Sequence, residues 1–315
     1  MPDRPPPVDG GPSPAGRRRV VVAGASGLIG GALVESLRAE GVEVTTLVRR
    51  PAEAPHEVEW LTSDAPLDPA VLAGAAAVVG LNGASIERLP WTRSYKSTLL
   101  WSRITPTRAI ARAVRELGTD APHFVSGSAV GYYGSEPGAR LTEDAPRGDT
   151  FLADLCGEWE AAAYGAGDAA EVAVLRTAPV VHPEGVLKPI LLLTKFGVSG
   201  PIGRGTQAWP WISLDDEVRG IRHVLDARLT GPVNLSGPTR ATANDLGFAL
   251  ARRMNRPFLL RAPEWGMKLV LGTDATEAIC TSDAYVVPER LQESGFVFRH
   301  PTVEDAVAAA VPAAS

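Results

Sequence analysis

Residues 19–33 read Arg19-Val20-Val21-Val22-Ala23-Gly24-Ala25-Ser26-Gly27-Leu28-Ile29-Gly30-Gly31-Ala32-Leu33. A short β-branched run ends in a glycine-rich turn, and a helical pattern begins inside that turn. Gly24 permits a sharp bend after the strand, and Gly27 leaves room for a pyrophosphate to approach main-chain N–H groups. Gly30 lets the new helix lie close against a sheet. The unpaired N–H groups and positive dipole end of that helix then face the phosphates. The stretch predicts the opening βα turn of a dinucleotide-binding fold, spaced GxxGxxG rather than GxGxxG.

The surrounding chain has 315 residues, 45% of them hydrophobic and 21% charged, enough to bury a large core. Its formal net charge is −5 and it has no long basic run, which argues against a nucleic-acid partner. Two cysteines, Cys156 and Cys280, give no disulfide framework and point to a reducing cytoplasm. No uninterrupted apolar run approaches the roughly 18 residues of a membrane span. Residues 1–18, rich in Pro, Gly and Arg, read as a disordered tail without the apolar segment of a signal peptide.

Beyond the glycine turn, Val42 to Val48 is a second strand, followed by Arg49-Arg50-Pro51. NAD-selective sites carry a carboxylate about twenty residues after the glycines. Two arginines stand there instead, and a guanidinium fork suits a 2′-phosphate, so the expected cofactor is NADP(H). Further strands are expected at Val58–Leu61, Ala75–Leu81, His123–Ser126 and Val172–Arg176, with helices at 91–117 and 151–163 between them. This alternation predicts an α/β, Rossmann-like, doubly wound parallel sheet. Right-handed crossovers bring the strand ends to one crevice, so Leu81, Asn82, Gly83, Ser126 and Gly127 join the candidate cofactor residues. The Rossmann-like domain is read as residues 19–180, completed by about 206–236. Residues 181–205 and 237–315 are read as a smaller mixed lobe, with short extended pieces at Val286–Pro288 and Phe296–Phe298.

Several stretches together resemble the sugar-nucleotide epimerase-like family, in the extended, atypical branch of the short-chain dehydrogenase/reductase superfamily. They are AGASGLIG from Ala23, WTRSYK from Trp91, SRI from Ser102, SAVGYYG from Ser128, FLADLCGEWE from Phe151, GRGTQ from Gly203 and WISLDD from Trp211. Pro288–Leu291 through Gly295–Phe298 is similar to that family's small C-terminal domain. The resemblance implies an NADP(H) site in which Gly24, Ser26, Gly27, Leu28 and Ile29 meet the pyrophosphate and Arg49 and Arg50 the 2′-phosphate. It also implies contacts from Leu81 and Asn82 on the adenine side, and from Arg103 and Val180. The substrate, a small molecule, stays unidentified; a sugar nucleotide or a small carbonyl compound fits the resemblance.

Catalysis in that superfamily uses a Ser or Thr, a Tyr, and a Lys four residues after the Tyr. Ser128 takes the Ser place. The helix from Phe151 offers Leu152 and Cys156, followed by Trp159-Glu160, and none of the five tyrosines has Lys at plus four. Three readings stay open: Tyr132 or Tyr133 supplies the phenol, Cys156 acts as acid or thiolate, or the chain binds NADP(H) without turnover. Trp209 and Trp211 either line a substrate cleft or form a core corner before a capped helix. Five scattered histidines argue against a metal site.

Overall fold

Val20, Val21 and Val22 lie in the middle of β1 (Arg19–Ala23) and are completely buried in the computed structural model, which describes residues 18–261 and 264–313. Their side chains alternate between two core layers, as strand geometry requires. Val20 and Val22 pack with Leu33 and Leu37 of α1 (Leu28–Ala39) and with Ile221 and Val224 of α5 (Leu214–Asp226). Val21 and Ala23 pack instead with Ile110 and Val114 of α2 (Arg93–Leu117) and with Ala163 of α3 (Phe151–Tyr164). Apolar residues on both faces of β1 are what a sheet covered by helices on both sides demands.

The sheet has seven strands in the order β10-β7-β5-β4-β1-β2-β3. These are β2 (Glu43–Val48), β3 (Glu57–Glu59), β4 (Ala77–Gly80), β5 (His123–Ala129), β7 (Val172–Thr177) and β10 (Gly231–Leu235) with β1. All pairings are parallel, with Val20 opposite Val44 on one side and Val21 opposite Val78 on the other. From β1 the chain moves outward through β2 and β3, then returns to the other side of β1 as β4. The order therefore reverses between β1 and β4, and a crevice opens at their carboxyl ends. Two small parallel pairs lie outside the sheet: β6 (Arg140–Leu141) with β11 (Tyr285–Val286), and β8 (Val180–Val181) with β9 (Ile212–Ser213).

Local chemistry fixes the helix starts. Thr92 and Thr150 accept the Tyr95 and Ala153 N–H groups at the heads of α2 and α3, and Pro106 sits inside α2 without ending it. The remaining helices are α4 (Leu187–Lys195), α6 (Ala243–Arg253), α7 (Glu264–Leu271), α8 (Thr273–Ala275), α9 (Glu289–Glu293) and α10 (Val303–Ala310). Thr242 and Asp245 close a reciprocal capping box on α6, and α10 buries Val303, Ala306 and Val307 in the cluster that holds Leu246 and Leu250. Asp216 clasps the tail to α5 by accepting the Arg299 and His300 N–H groups at 2.8 and 2.9 Å.

The short extended piece expected at Phe296–Phe298 pairs with no strand among the described residues. Phe296 instead packs its ring on His223 of α5 and edge-on to Phe298, 5.5 and 4.9 Å between centroids. The cleft-lining alternative for the tryptophans also fails. Trp209 and Trp211 are buried among α4, α6 and α10 residues, the Trp211 indole donates to Thr239 O, and Ser213 caps α5 at Asp216 N.

Candidate active site

Gly24 holds φ +89°, a value that only glycine adopts without strain. A Cβ there would also lie 2.7 Å from the Leu81 carbonyl, so the turn after β1 and the end of β4 touch backbone to backbone. At Gly30 a Cβ would stand 2.2 Å from Gly24 O. The helix consequently starts directly over the turn. Gly27 is its N-cap, no side chain caps it, and no carboxylate occupies its first turn. The first N–H groups of α1 are left for an external acceptor.

This helix mouth forms the floor of a cavity of about 640 Å³. Gly24 to Gly27 line one side, Thr46 to Arg50 at the end of β2 another, and Leu81, Asn82 and Gly83 after β4 a third. Of the residues expected at the cofactor, Gly24, Ser26, Gly27, Arg49, Arg50, Leu81, Asn82 and Gly83 meet in this one space. Asn82 Oδ1 is buried and has no hydrogen-bond partner among the described residues. An uncapped helix end, a buried acceptor awaiting a donor, and arginines at the rim form a donor set that fits a dinucleotide phosphate and adenosine.

The side chains of the other expected contacts lie apart from the cavity wall. Leu28 packs beside Gly185, where a Cβ would be 3.6 Å from its methyl. Ile29 packs against the core, and Val180 is buried in β8. Ser126 is fully buried, and a Cβ on Gly127 would collide with the Trp159 ring at 2.8 Å. Arg103 is buried too: it donates to Leu99 O at 2.9 Å and Ala84 O at 3.0 Å, and its guanidinium stacks 5.2 Å from the Trp159 ring. It ties α2 to the loop after β4.

Among the wall residues that sequence reading missed, three are titratable: Arg38, His56 and Glu57. Glu57 matters most. The β2–β3 register sets it opposite Thr46, and Arg50 holds its carboxylate fork to fork at 2.9 and 2.7 Å. That bond pulls the Glu57 carboxyl down to about 2. A carboxylate thus does stand in the adenosine cleft, supplied by the next strand. Arg49 has no ion pair among the described residues.

At the ends of β5 and β7 lies a second, buried network. Ser128 Oγ donates to Glu160 Oε1 at 2.7 Å. Arg176 holds both Glu160 oxygens, Nε to Oε1 and Nη2 to Oε2, each at 2.9 Å. Its remaining nitrogen donates to the Tyr133 hydroxyl and to Glu143 O, both at 2.9 Å. Tyr133 in turn donates to Asn234 Oδ1 at 2.7 Å.

Tyr133 is therefore corrected as a proton donor. It is wholly enclosed, its proton is spent on Asn234, and burial pushes its phenol up to about 12. Cys156 is also buried, and loss of solvation with Glu160 beside it pushes the thiol up to about 12, which removes the thiolate reading at neutral pH. Tyr132 remains half-buried, its ring 3.5 Å beneath the Arg176 guanidinium and edge-on to Tyr133. Among the candidate groups it is the one whose hydroxyl enters no hydrogen bond of the Ser128–Glu160–Arg176 network. Glu160 and Arg176 escaped the sequence reading because no spacing rule links a helix carboxylate to a strand guanidinium.

Fold and cleft define a Rossmann-like dinucleotide-binding protein of the short-chain dehydrogenase/reductase type. The model of the NAD dependent epimerase/dehydratase family matches residues 20–235, and a domain of unknown function matches residues 262–310. The chain belongs to that epimerase/dehydratase family. An epimerase family protein of Mycobacterium bovis is 36% identical over 291 residues, covering 91% of this chain and 96% of its own. The human epimerase family protein SDR39U1 is 32% identical over 292 residues, covering 90% and 96%. The crystal structure of human SDR39U1 (isoform 2) with NADPH superposes with TM-score 0.81 at 30% identity, over 93% of this chain and 98% of that one. A nucleoside-diphosphate sugar epimerase from Corynebacterium glutamicum gives 0.74 at 30% identity, over 93% and 58%.

Proposed function

We propose that this chain binds NADP(H) in the β1–β4 crevice and works as an epimerase-like oxidoreductase on a small carbonyl or sugar-nucleotide substrate. The observation that carries the reading is the uncapped head of α1, aimed into a cavity whose rim bears Arg49 and Arg50. The NADPH bound by human SDR39U1 supports the same cofactor here. Ser26, Leu28 and Ile29 hold the pyrophosphate through main-chain N–H groups in the turn that Gly24 and Gly27 shape, Asn82 Oδ1 accepts from the adenosine side, and Arg49 meets the 2′-phosphate. Arg50 joins it on leaving Glu57. When bound, the dinucleotide supplies a nicotinamide that exchanges hydride. The protein's own part is to orient it, exclude water and move one proton, and Tyr132 is the phenol left for that step.

A second reading, NADP(H) binding without turnover, is favoured by one feature. Ser128 gives its proton to Glu160, Tyr133 gives its own to Asn234, and Cys156 is sealed. Following NADPH absorbance with the purified protein and a panel of carbonyl compounds and sugar nucleotides separates the two. Oxidation that depends on Tyr132 supports the first reading; stable binding with no oxidation supports the second.

A further inference from the structure

Around α4 and α6 an apolar patch is interspersed with exposed cations. At the end of α4, Leu192 and Phe196 stand one helical turn apart, and Phe196 is 71% exposed. Leu259 and Leu260, 77% and 56% exposed, lie directly beside that end, because both their N–H groups donate to Ser199 O at 2.9 and 3.2 Å. The surface continues through Phe258, whose ring packs 4.5 Å from that of the exposed Phe248 on α6. These residues protrude. Side chains that project so far contribute nothing to the fold's own core and invite an apolar medium.

The two segments that carry them hold charges of one sign. Residues 185–200 and 246–261 contain no Asp or Glu, although the chain as a whole has net charge −5. Lys195, Arg252, Arg256 and Arg261 are all exposed and make no ion pair among the described residues. Arg252 lies on the same α6 face as Phe248, four residues on. Arg253, by contrast, turns inward to Val311 O and Ala308 O. A symmetric contact with a second copy would set these cations against their own images, which repel. An anionic lipid surface satisfies both features at once: apolar tips enter the acyl boundary while Lys and Arg meet headgroups.

We propose that this face docks peripherally on an anionic phospholipid bilayer. Composition alone predicts no membrane partner, since it registers only spanning segments, and no helix among the described residues is long and apolar enough to span. Surface docking needs none. The test is flotation of the full chain with phosphatidylcholine vesicles, with and without phosphatidylserine. The protein should float only with the phosphatidylserine vesicles, and raised salt should release it. Arg256→Glu with Arg261→Glu should weaken binding about fivefold per cation. Phe196→Ser with Leu259→Ser and Leu260→Ser should weaken it at least about tenfold. Circular dichroism and the melting midpoint should stay unchanged in both variants. Absence of binding to the phosphatidylserine vesicles, equal binding to both kinds, or a dimer in light scattering that the same substitutions break would overturn the proposal.

Discussion

Ser128 donates its hydroxyl proton to Glu160 across 2.7 Å, so the serine of the expected catalytic set points into the protein's interior. The helix expected to carry Tyr-x-x-x-Lys offers Leu152 and Cys156 instead, and Glu160 follows one turn on. Cys156 is a buried thiol, and Arg176 of β7 answers the buried Glu160 carboxylate. The pair is almost fully enclosed, with side chains 4% and 7% exposed. Removing one partner strands a buried charge. Glu160→Leu or Arg176→Leu should each lower unfolding free energy by about 3–5 kcal/mol in urea denaturation, and the double change should cost less than their sum.

The two adjacent tyrosines should separate cleanly. Tyr133→Phe deletes the hydroxyl that joins Arg176 to Asn234 and should cost about 1–3 kcal/mol of stability while leaving NADPH oxidation intact. Tyr132→Phe keeps the ring under Arg176 and should leave the melting midpoint unchanged, yet slow oxidation about a hundredfold or more. Unaltered turnover in Tyr132→Phe removes the phenol from the mechanism.

Glu57 competes with phosphate for Arg50. Glu57→Gln frees the guanidinium and should tighten NADPH binding while leaving NADH unchanged. Arg49→Ala should weaken NADPH about tenfold to a hundredfold and spare NADH. Fluorescence titration of each variant with both cofactors checks this, and equal losses for both would place the 2′-phosphate elsewhere.

How far the sequence carries is visible in these residues. Val20 to Gly30 announces strand, turn and helix because Gly27 and Gly30 answer steric demands within the turn and Gly24 takes a left-handed φ there. The buried strands announce themselves as apolar runs, and α2 keeps its helical pattern through Pro106. Contacts between distant residues leave no such mark. Glu57 reaches Arg50 only through the β2–β3 register, and Glu160 meets Arg176 only once α3 covers β7. Tyr132 and Tyr133 look equivalent in sequence. One ends beneath a guanidinium with its hydroxyl outside the network, the other inside the core, and the short helical turn at 130–133 decides which.

Glu217 gives the fold a pH dependence. It is fully buried on α5, accepts from Thr177 Oγ1 at 2.8 Å, and burial raises its carboxyl to about 8. The folded state keeps this proton where the unfolded chain, with a carboxyl near the ordinary value of 4.5, has lost it. Stability from this group is therefore constant below about pH 4.5, falls as pH rises through the window up to about 8, and levels off above. Glu217→Gln should abolish that decline: its melting midpoint should match wild type at pH 5 and exceed it at pH 8.5. A wild-type midpoint that rises over the same interval, with the variant following it, would show that Glu217 is ionised when folded.

Isothermal titration of the full-length protein with NADPH, with NADH as the comparison, tests the cleft most directly. The account predicts one site that takes NADPH about tenfold or more tighter than NADH, and loss of both in Gly30→Ala, whose new methyl would press on Gly24 O. No heat from either cofactor, or an unchanged isotherm in Gly30→Ala, would contradict it.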